Sequence, residues 1–308
     1  MSKSIAVFYS DRSELGLLQP VIRELKRVSE FEIKKVDMST IFKNIDRDDL
    51  LGHLYKLIFS FLDINKVDFA VCPFDRREVM IAALACFIHG TPFATMHSGS
   101  VGSFKGSHDH IFRHQIMMMS EIQFCNGEVA HANACRILEG VGRKTDKCFD
   151  VGSTAFDEED MREMNMVKIP WKNFNMIVLH PNTHSQKATE NDIREIKKFI
   201  SNNTIKTIII GPNRDKHGKI IHEEWKWAAN LENVEYHPNG FERPIFMAYM
   251  KSCNKLVGNS SSLLYEAPFL KEREDIILIG KRNKDRDLVK SPLLGGAKRV
   301  VEVLEEYV

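Results

Sequence analysis

The sequence predicts an α/β protein built from two doubly wound domains, each a parallel sheet covered by helices on both faces. Three observations carry the prediction. Short apolar runs alternate with stretches of helical spacing along the whole chain, the alternation restarts near residue 176, and a polar stretch from Asp157 to Asn175 containing Pro170 separates the halves as the expected linker. A chain of 308 residues suits two such domains, each large enough to bury its own core.

In the first half, Ile5–Tyr9 is a short buried strand and Leu15–Val28 repeats apolar residues at helical spacing. Phe31–Val36 alternates as a strand, Leu50–Leu62 carries an apolar helical stripe, and Phe69–Cys72 is again a strand. Arg77–Ile88 reads as a buried helix, Pro92–Met96 as a strand, and helices follow near 108–119 and 128–139 before a strand ending at Val151-Gly152. In the second half, strands are expected at Met176–Leu179, Thr207–Ile210, Val234–Tyr236, Lys255–Val257 and Ile276–Ile279. Helices are expected at Glu190–Ile200, near 221–229 and 243–251, and at Ala297–Glu306. The Met117-Met118-Met119 run reads as core packing.

Composition narrows the function classes. The formal charge is +1 and no basic block stands out, which argues against a nucleic-acid partner. No apolar run reaches membrane-spanning length and no secretory signal is apparent, so the expected location is the cytoplasm. The six cysteines show no C-x-x-C spacing and read as reduced, mostly buried thiols. His108, His110 and His114 cluster beside Asp109 without a cysteine pair, so a metal is not expected.

Polar clusters fall just beyond predicted strands, where ligands bind in such sheets. Gly258-Asn259-Ser260-Ser261-Ser262 precedes an expected helix carrying Glu266. A small-residue turn at a helix start offers backbone N–H groups and hydroxyls to a diphosphate, with Glu266 one turn on and able to reach a ribose; the same residues also make an ordinary helix cap. Ser10-Asp11-Arg12-Ser13-Glu14 follows the first strand, where Arg12 either clamps a phosphate or sits in a solvated turn. Asp75-Arg76 follows the Phe69–Cys72 strand, as an acid/base carboxylate or a cap. His97-Ser98-Gly99-Ser100 opens a Gly/Ser-rich loop running to Ser107. Asp109 and Arg113 share one helix face at i, i+4, as a site pair or a local ion pair. His180 ends a strand before Pro181-Asn182-Thr183, and Pro212-Asn213-Arg214-Asp215 sits likewise after Ile210.

Taken in order, these clusters resemble the UDP-N-acetylglucosamine 2-epimerases, and within them the branch that hydrolyses its substrate to N-acetylmannosamine. Arg12-Ser13-Glu14-Leu15-Gly16 is similar to that family's Arg-x-x-Tyr-Gly turn, Asp75-Arg76-Arg77-Glu78 to its Gly-Asp-Arg-x-Glu, and His97–Ser100 to its His-Gly-Gly-Glu. Asp109 through Arg113-His114 resembles Asp-Asp-x-Ile-Arg-His, and His180-Pro181 and Pro212-Asn213-x-Asp215 resemble the family's His-Pro and Pro-Asn-x-Asp turns. Gly258–Ser262 with Glu266 resembles Gly-Asn-Ser-Ser-Ser…Glu, and Gly280-Lys281-Arg282 with Arg286 resembles Gly-x-Arg-Gln-x-Gly-Arg.

The resemblance implies two Rossmann-like domains of the glycosyltransferase-B type facing a cleft. Residues 1–165 would carry the sugar and catalytic side, and 166–308 the nucleotide side. Asp75 and Asp109 would be acid/base carboxylates, with Arg113 and His180 supporting the sugar and leaving group. Arg12, Ser260, Ser261 and Ser262 would hold the diphosphate and Glu266 the ribose. Pro212 and Asn213 would line the substrate site, and Arg282 or Arg286 would take the nucleotide end. The implied ligand is a nucleotide sugar such as UDP-GlcNAc, without a cofactor, in a homo-oligomer serving sialic-acid-type sugar synthesis.

Two positions depart from the family pattern: Ser100 replaces the acid of His-Gly-Gly-Glu, and His110 replaces the second acid of Asp-Asp. A serine without an activating base does not replace a carboxylate, so His108 or His110 becomes a candidate substitute. A catalytically impaired nucleotide-sugar-binding protein and a glycosyltransferase of the same fold therefore stand as alternatives.

Overall fold

The structure, a computed structural model, describes residues 2–10, 12–39, 50–101, 107–213, 215–283, 285–286 and 294–308. The chain divides into two compact units, Met1–Asp157 with Leu293–Val308, and Glu158–Pro292.

In the first unit, strands β1 (Lys3–Tyr9), β2 (Phe31–Asp37), β3 (Phe69–Val71), β4 (Phe93–Met96), β5 (Ile122–Cys125) and β6 (Cys148–Asp150) form one parallel sheet in the order β2-β1-β3-β4-β5-β6. Ile5 lies between Ile33 and Phe69 in register. The central strands are apolar without alternation because helices cover both faces, and Ile5 to Phe8 are fully buried. On one face α1 (Arg12–Leu25) contributes Leu18, Val21, Ile22 and Leu25 to the core. On the other, α2 (Leu50–Asn65), α3 (Arg77–His89) and α4 (His108–Met119) bury Leu54, Leu62, Val79, Ala82 and Ile116. Helix α5 (Glu128–Gly140) closes a smaller cluster with Ala134 and Leu138 against Cys125 and Cys148.

The second unit opens with α6 (Glu158–Met166), followed by β7 (Phe174–Val178), α7 (Gln186–Ser201), β8 (Lys206–Ile210), α8 (Gly218–Ala228), β9 (Val234–His237), α9 (Arg243–Ser252), β10 (Leu256–Gly258), α10 (Ser262–Tyr265) and β11 (Ile276–Leu278). Its parallel sheet runs β11-β10-β7-β8-β9. Ile193, Ile196, Ile200, Ile221 and Trp225 fill one face, and Tyr249, Met250, Leu256 and Leu263 the other. The final helix α11 (Gly296–Tyr307) returns to the first unit and packs on α1 through Ala297, Val300, Val301 and Leu304. Each of the larger of these side chains contributes about 1.5–3 kcal/mol by burial. Gly296 permits the approach, because a Cβ there would lie 2.2 Å from the Ser153 carbonyl oxygen. Arg299 fixes it, with Nε and Nη2 donating to the Val151 carbonyl at 2.8 and 2.6 Å.

The fold class predicted from sequence is the one observed: two parallel-sheet α/β domains. Several details differ, and strand β5 (Ile122–Cys125) has no counterpart among the elements expected from the sequence. The stretch read as a linker contains helix α6, whose Glu158, Glu159 and Asp160 suit the positive end of a helix dipole and whose Met164 and Asp160 turn inward. Helix α7 begins four residues before Glu190, where the Ser185 hydroxyl accepts from the Ala188 N–H at 3.2 Å. The helix expected to carry Glu266 is only the single turn of α10, after which Pro268 belongs to a short 3-10 turn, Ala267–Phe269. Relative to a division at 165/166, α6 lies in the second unit and α11 in the first.

Candidate active site

Each sheet reverses strand order once, between β1 and β3 in the first unit and between β7 and β10 in the second. Ligands in doubly wound sheets bind beyond the carboxyl ends of strands at such reversals. Of the residues singled out from the sequence, Glu14 and Asp75 follow β1 and β3, and His180 and Ser260–Ser262 follow β7 and β10, while His97–Ser100 follow the neighbouring strand β4 and Pro212–Asn213 follow β8.

In the first unit the turn after β1 is held by Glu14, whose buried carboxylate accepts from the Ser10 N–H at 2.6 Å and the Ser10 hydroxyl at 2.7 Å. Arg12 opens α1 by its backbone; its side chain lies outside the described residues. Beyond β3, Asp75 forms an ion pair with Arg113 of α4. Arg113 is 4 % exposed, and its Nη1 also donates to the Val101 carbonyl at 3.3 Å. Asp109 sits one turn before Arg113 on α4, whose first turn is capped by the Ser107 hydroxyl accepting from the His110 N–H at 3.2 Å.

Beyond β4, the His97–Ser100 turn is built against α5. His97 has φ +58° and packs edge-on to Phe74, with ring centroids 5.0 Å apart. Gly99 has φ +71°, and a Cβ on it would lie 1.9 Å from the Ala130 carbonyl oxygen. Its own carbonyl accepts from Asn133 Nδ2 at 2.6 Å. Ser100 donates its hydroxyl proton to Asn126 Oδ1. Ser100 is thus tied to an amide rather than to a base. His110, one candidate for the missing acid, stacks edge-on against His114 at 4.4 Å. Burial first, and then the charges of His110, Arg113 and Arg136, bring His114 down to about 4. His108 lies beside Phe112. Residues 102–106 of this loop are outside the described set.

The second unit's residues form one network around Asn259. Its Oδ1 accepts from the His180 N–H at 2.7 Å, and its Nδ2 donates to the His180 carbonyl at 2.9 Å and to Asp192 Oδ2 at 3.0 Å. One buried amide therefore ties the end of β7 to the end of β10. Asp192 of α7 also accepts from Asn182 Nδ2 at 2.8 Å; burial raises its pKa, and the two amide bonds oppose that rise. His180 Nδ1 accepts from the Asn213 N–H at 3.2 Å, which puts the proton of a neutral ring on Nε2. Pro212 is buried just before this contact, and Asn213 Nδ2 donates to Asp215 at 2.5 Å.

Gly258 allows the turn that follows, since a Cβ there would meet the Val178 carbonyl oxygen at 2.0 Å and φ is +150°. Within the turn the Ser262 hydroxyl donates to Ser260 Oγ at 2.9 Å, and Ser261 caps α10 without a side-chain bond to it. Arg282 Nη1 and Asn283 Nδ2 donate to the Asn259 carbonyl at 3.2 and 2.8 Å. Arg286 lies over the Tyr265 ring at 5.8 Å and donates to Asn283 Oδ1 at 3.1 Å. Glu266 is buried and paired with Arg243 Nη1 at 2.6 Å, while Arg243 Nε lies 3.7 Å from Asp160.

The structure therefore joins Asp75 to Arg113 in one unit, and His180, Asn213 and Arg282 through Asn259 in the other. Asp192, Arg243 and Asn126 had no assigned place in the sequence reading. Asp192 had a visible signal, because it falls on the apolar face of α7 beside Ile193, four residues before Ile196. Arg243 and Asn126 had none.

Two doubly wound units, each a parallel sheet with one strand-order reversal, are the fold of the glycosyltransferase-B class of α/β protein. The family model for UDP-N-acetylglucosamine 2-epimerase matches residues 18–305, and the chain belongs to that family. Among sequence relatives, the Polysialic acid biosynthesis protein P7 of Escherichia coli is 28% identical over 236 residues, covering 74% of this chain and 58% of that protein. The GDP/UDP-N,N'-diacetylbacillosamine 2-epimerase (hydrolyzing) of Campylobacter jejuni is 27% identical over 273 residues, covering 83% of this chain and 68% of that one. The chain thus spans well under two thirds of the first relative's length and about two thirds of the second's. Among solved structures, UDP-GlcNAc 2-epimerase from Neisseria meningitidis bound to UDP-GlcNAc superposes with a TM-score of 0.77 at 16% identity, covering 99% of this chain and 100% of that one. The Methanocaldococcus jannaschii UDP-GlcNAc 2-epimerase in complex with UDP-GlcNAc and UDP gives 0.76 at 17%, with the same coverage. No described helix is long and apolar enough to cross a membrane.

Proposed function

We propose that the protein is a hydrolysing 2-epimerase that converts a nucleotide sugar of the UDP-GlcNAc type into the free 2-epimer and the nucleoside diphosphate. The observation that carries the reading is the Asp75–Arg113 pair with Asp109 one helical turn away, at the strand reversal of the first unit. A proton on C2 of the sugar is barely acidic, so its removal needs a placed carboxylate with cationic or N–H groups near the developing charge. Asp75 and Asp109 are those carboxylates, and Arg113 orients Asp75. The C2–H electron pair forms the C1–C2 double bond, and the C1–O bond breaks with its electrons leaving on the diphosphate. Water then adds its oxygen to C1 and a proton to the opposite face of C2.

On the nucleotide side, Ser260, Ser261 and Ser262 with Arg12 take the diphosphate, and Arg282 or Arg286 the nucleotide end. Pro212 and Asn213 line the site and His180 supports the leaving group. For Glu266 to reach a ribose it must keep one oxygen for Arg243. The activities named for the relatives and the turn at Gly258–Ser262 support this assignment. Sialic-acid-type sugar synthesis in the cytoplasm, and a homo-oligomeric assembly, belong to the same reading.

Ser100 favours one second reading, a nucleotide-sugar-binding protein with little turnover, because its hydroxyl proton is committed to Asn126. Release of UDP from UDP-GlcNAc, measured chromatographically without an acceptor, separates the two. Asp109→Asn should abolish that release while leaving UDP affinity nearly intact, whereas Ser262→Ala with Glu266→Ala should weaken UDP binding. A rate unchanged in Asp109→Asn would sink the carboxylate assignment; UDP binding without release in the wild-type protein would favour the binding reading. Release only on adding a sugar acceptor would indicate a glycosyltransferase.

A further inference from the structure

Three side chains that the sugar chemistry does not use, His131, Cys135 and Cys148, meet at the far edge of the first sheet, and a fourth, Cys125, adjoins Cys148. Cys125 ends β5 and Cys148 opens β6, the edge strand, while His131 and Cys135 lie four residues apart on α5 and share a helix face. The Cys125 and Cys148 sulfurs are 3.6 Å apart, and Cys135 Sγ is 3.6 Å from His131 Nε2. The ligand atoms of His131, Cys135 and Cys148 all lie within 4.8 Å of one another. A tetrahedral ion with metal–sulfur bonds of ~2.3 Å and a metal–nitrogen bond of ~2.0 Å places its ligand atoms about 3.5–3.8 Å apart. Two of the pairs already have that spacing.

We propose that Cys125, His131, Cys135 and Cys148 form a binding site for a zinc-class divalent cation. Cys135 and Cys148 form one close set with His131, and Cys125 adjoins that set through Cys148. Among the described residues no second set of three such ligands gathers this closely. Cys72 and Cys86 are also buried neighbours but have no such histidine, which makes them the internal control. A Cys125–Cys148 disulfide would account for two of these residues and leave Cys135 beside His131 unexplained.

Binding is balanced by proton release: three thiols become three thiolates, three protons leave, and the imidazole binds neutral. His131 Nε2 gives up its contact with the Cys148 carbonyl, now 3.0 Å away, and turns its lone pair to the metal with the ring proton on Nδ1. With Cys125 drawn in beside Cys148 as the fourth ligand no position stays open, so the ion is structural. It staples α5 to β5 and β6. Through Asn133 and the Ala130–Ala134 backbone, α5 in turn supports the Gly99 turn, so the staple also braces the loop that carries Ser100.

The test is a Co²⁺ titration of the reduced, chelator-stripped full chain under anaerobic conditions. We expect thiolate-to-cobalt charge-transfer bands in the near ultraviolet and intense visible bands of tetrahedral cobalt, saturating at one equivalent and bleached by Zn²⁺. Cys148→Ser and Cys135→Ser should each lose the bands at that stoichiometry, and Cys72→Ser should keep them. The proposal is overturned if the wild-type chain gives no such bands, if both ligand variants retain them, or if mass spectrometry of the freshly purified chain shows a Cys125–Cys148 disulfide. The wild-type titration decides the matter even where a variant does not fold.

Discussion

Replacing Asn259 by alanine should unfasten the second unit at its strand reversal. The side chain is 1% exposed and makes three hydrogen bonds, accepting from the His180 N–H and donating to the His180 carbonyl and Asp192. Each is worth about 1 kcal/mol net, and the part-buried His180 N–H left without a partner adds about 1–3 kcal/mol, so the loss should reach ~4–6 kcal/mol. All three tryptophans, Trp171, Trp225 and Trp227, lie in the second unit, so urea unfolding followed by their fluorescence reads this unit alone. Asn259→Asp provides the contrast. It keeps the acceptor for the His180 N–H but turns a second carboxylate on Asp192, so it should be at least as damaging at neutral pH. It should then recover partly as acid allows the two groups to share a proton. A loss below ~1 kcal/mol for Asn259→Ala would mean that the amide does not hold β7 to β10, and the reasoning would fail.

Other consequences follow from the first unit. Arg113→Met should cost about 2–4 kcal/mol, because it leaves Asp75 facing a largely buried site without its cation; a circular-dichroism melt should show this transition moving while tryptophan fluorescence stays put. Gly99→Ala should disrupt the His97–Ser100 turn, since its Cβ would lie 1.9 Å from the Ala130 carbonyl oxygen at φ +71°; a fully active, equally stable variant would contradict that packing. His114 is held near 4, below its unfolded value of about 6.5, so the unfolded chain takes the proton first. Its contribution is intact above pH ~6.5, declines as pH falls toward 4, and is flat below; after solvent screening the decline should be about 1–2 kcal/mol. His114→Gln should flatten the stability profile over that window, and an unchanged slope would exclude the histidine as its source.

The alternation of apolar runs and helical spacing made most strands of both sheets legible, because strands buried on both faces leave an uninterrupted apolar signature, as in Ile5–Tyr9 and Thr207–Ile210, whereas β5 (Ile122–Cys125) is four residues long and interrupted by Gln123. Helix α6 was not legible, since Glu158–Met166 turns only Asp160 and Met164 inward and its polar face dominates the sequence. Nor did the sequence show that Glu266 answers to Arg243, 23 residues earlier, a pairing made only when α9 packs beside α10. The cysteine–histidine cluster escaped for a related reason. Its members sit on β5, α5 and β6, and adjacent parallel strands bring together residues that a crossover helix separates in sequence. The residues of the candidate site stood out as strand-end motifs, and Asn259 was read as one member of a diphosphate turn or helix cap, not as the amide that ties β7 to β10.

The central claim is that this family member performs elimination and rehydration although Ser100 stands where the resemblance places an acid. Proton NMR of the purified protein with UDP-GlcNAc in deuterated water, without acceptor or added metal, tests it most directly. The account predicts N-acetylmannosamine carrying deuterium at C2 together with free UDP. Unchanged UDP-GlcNAc that saturation transfer shows to be bound would contradict it.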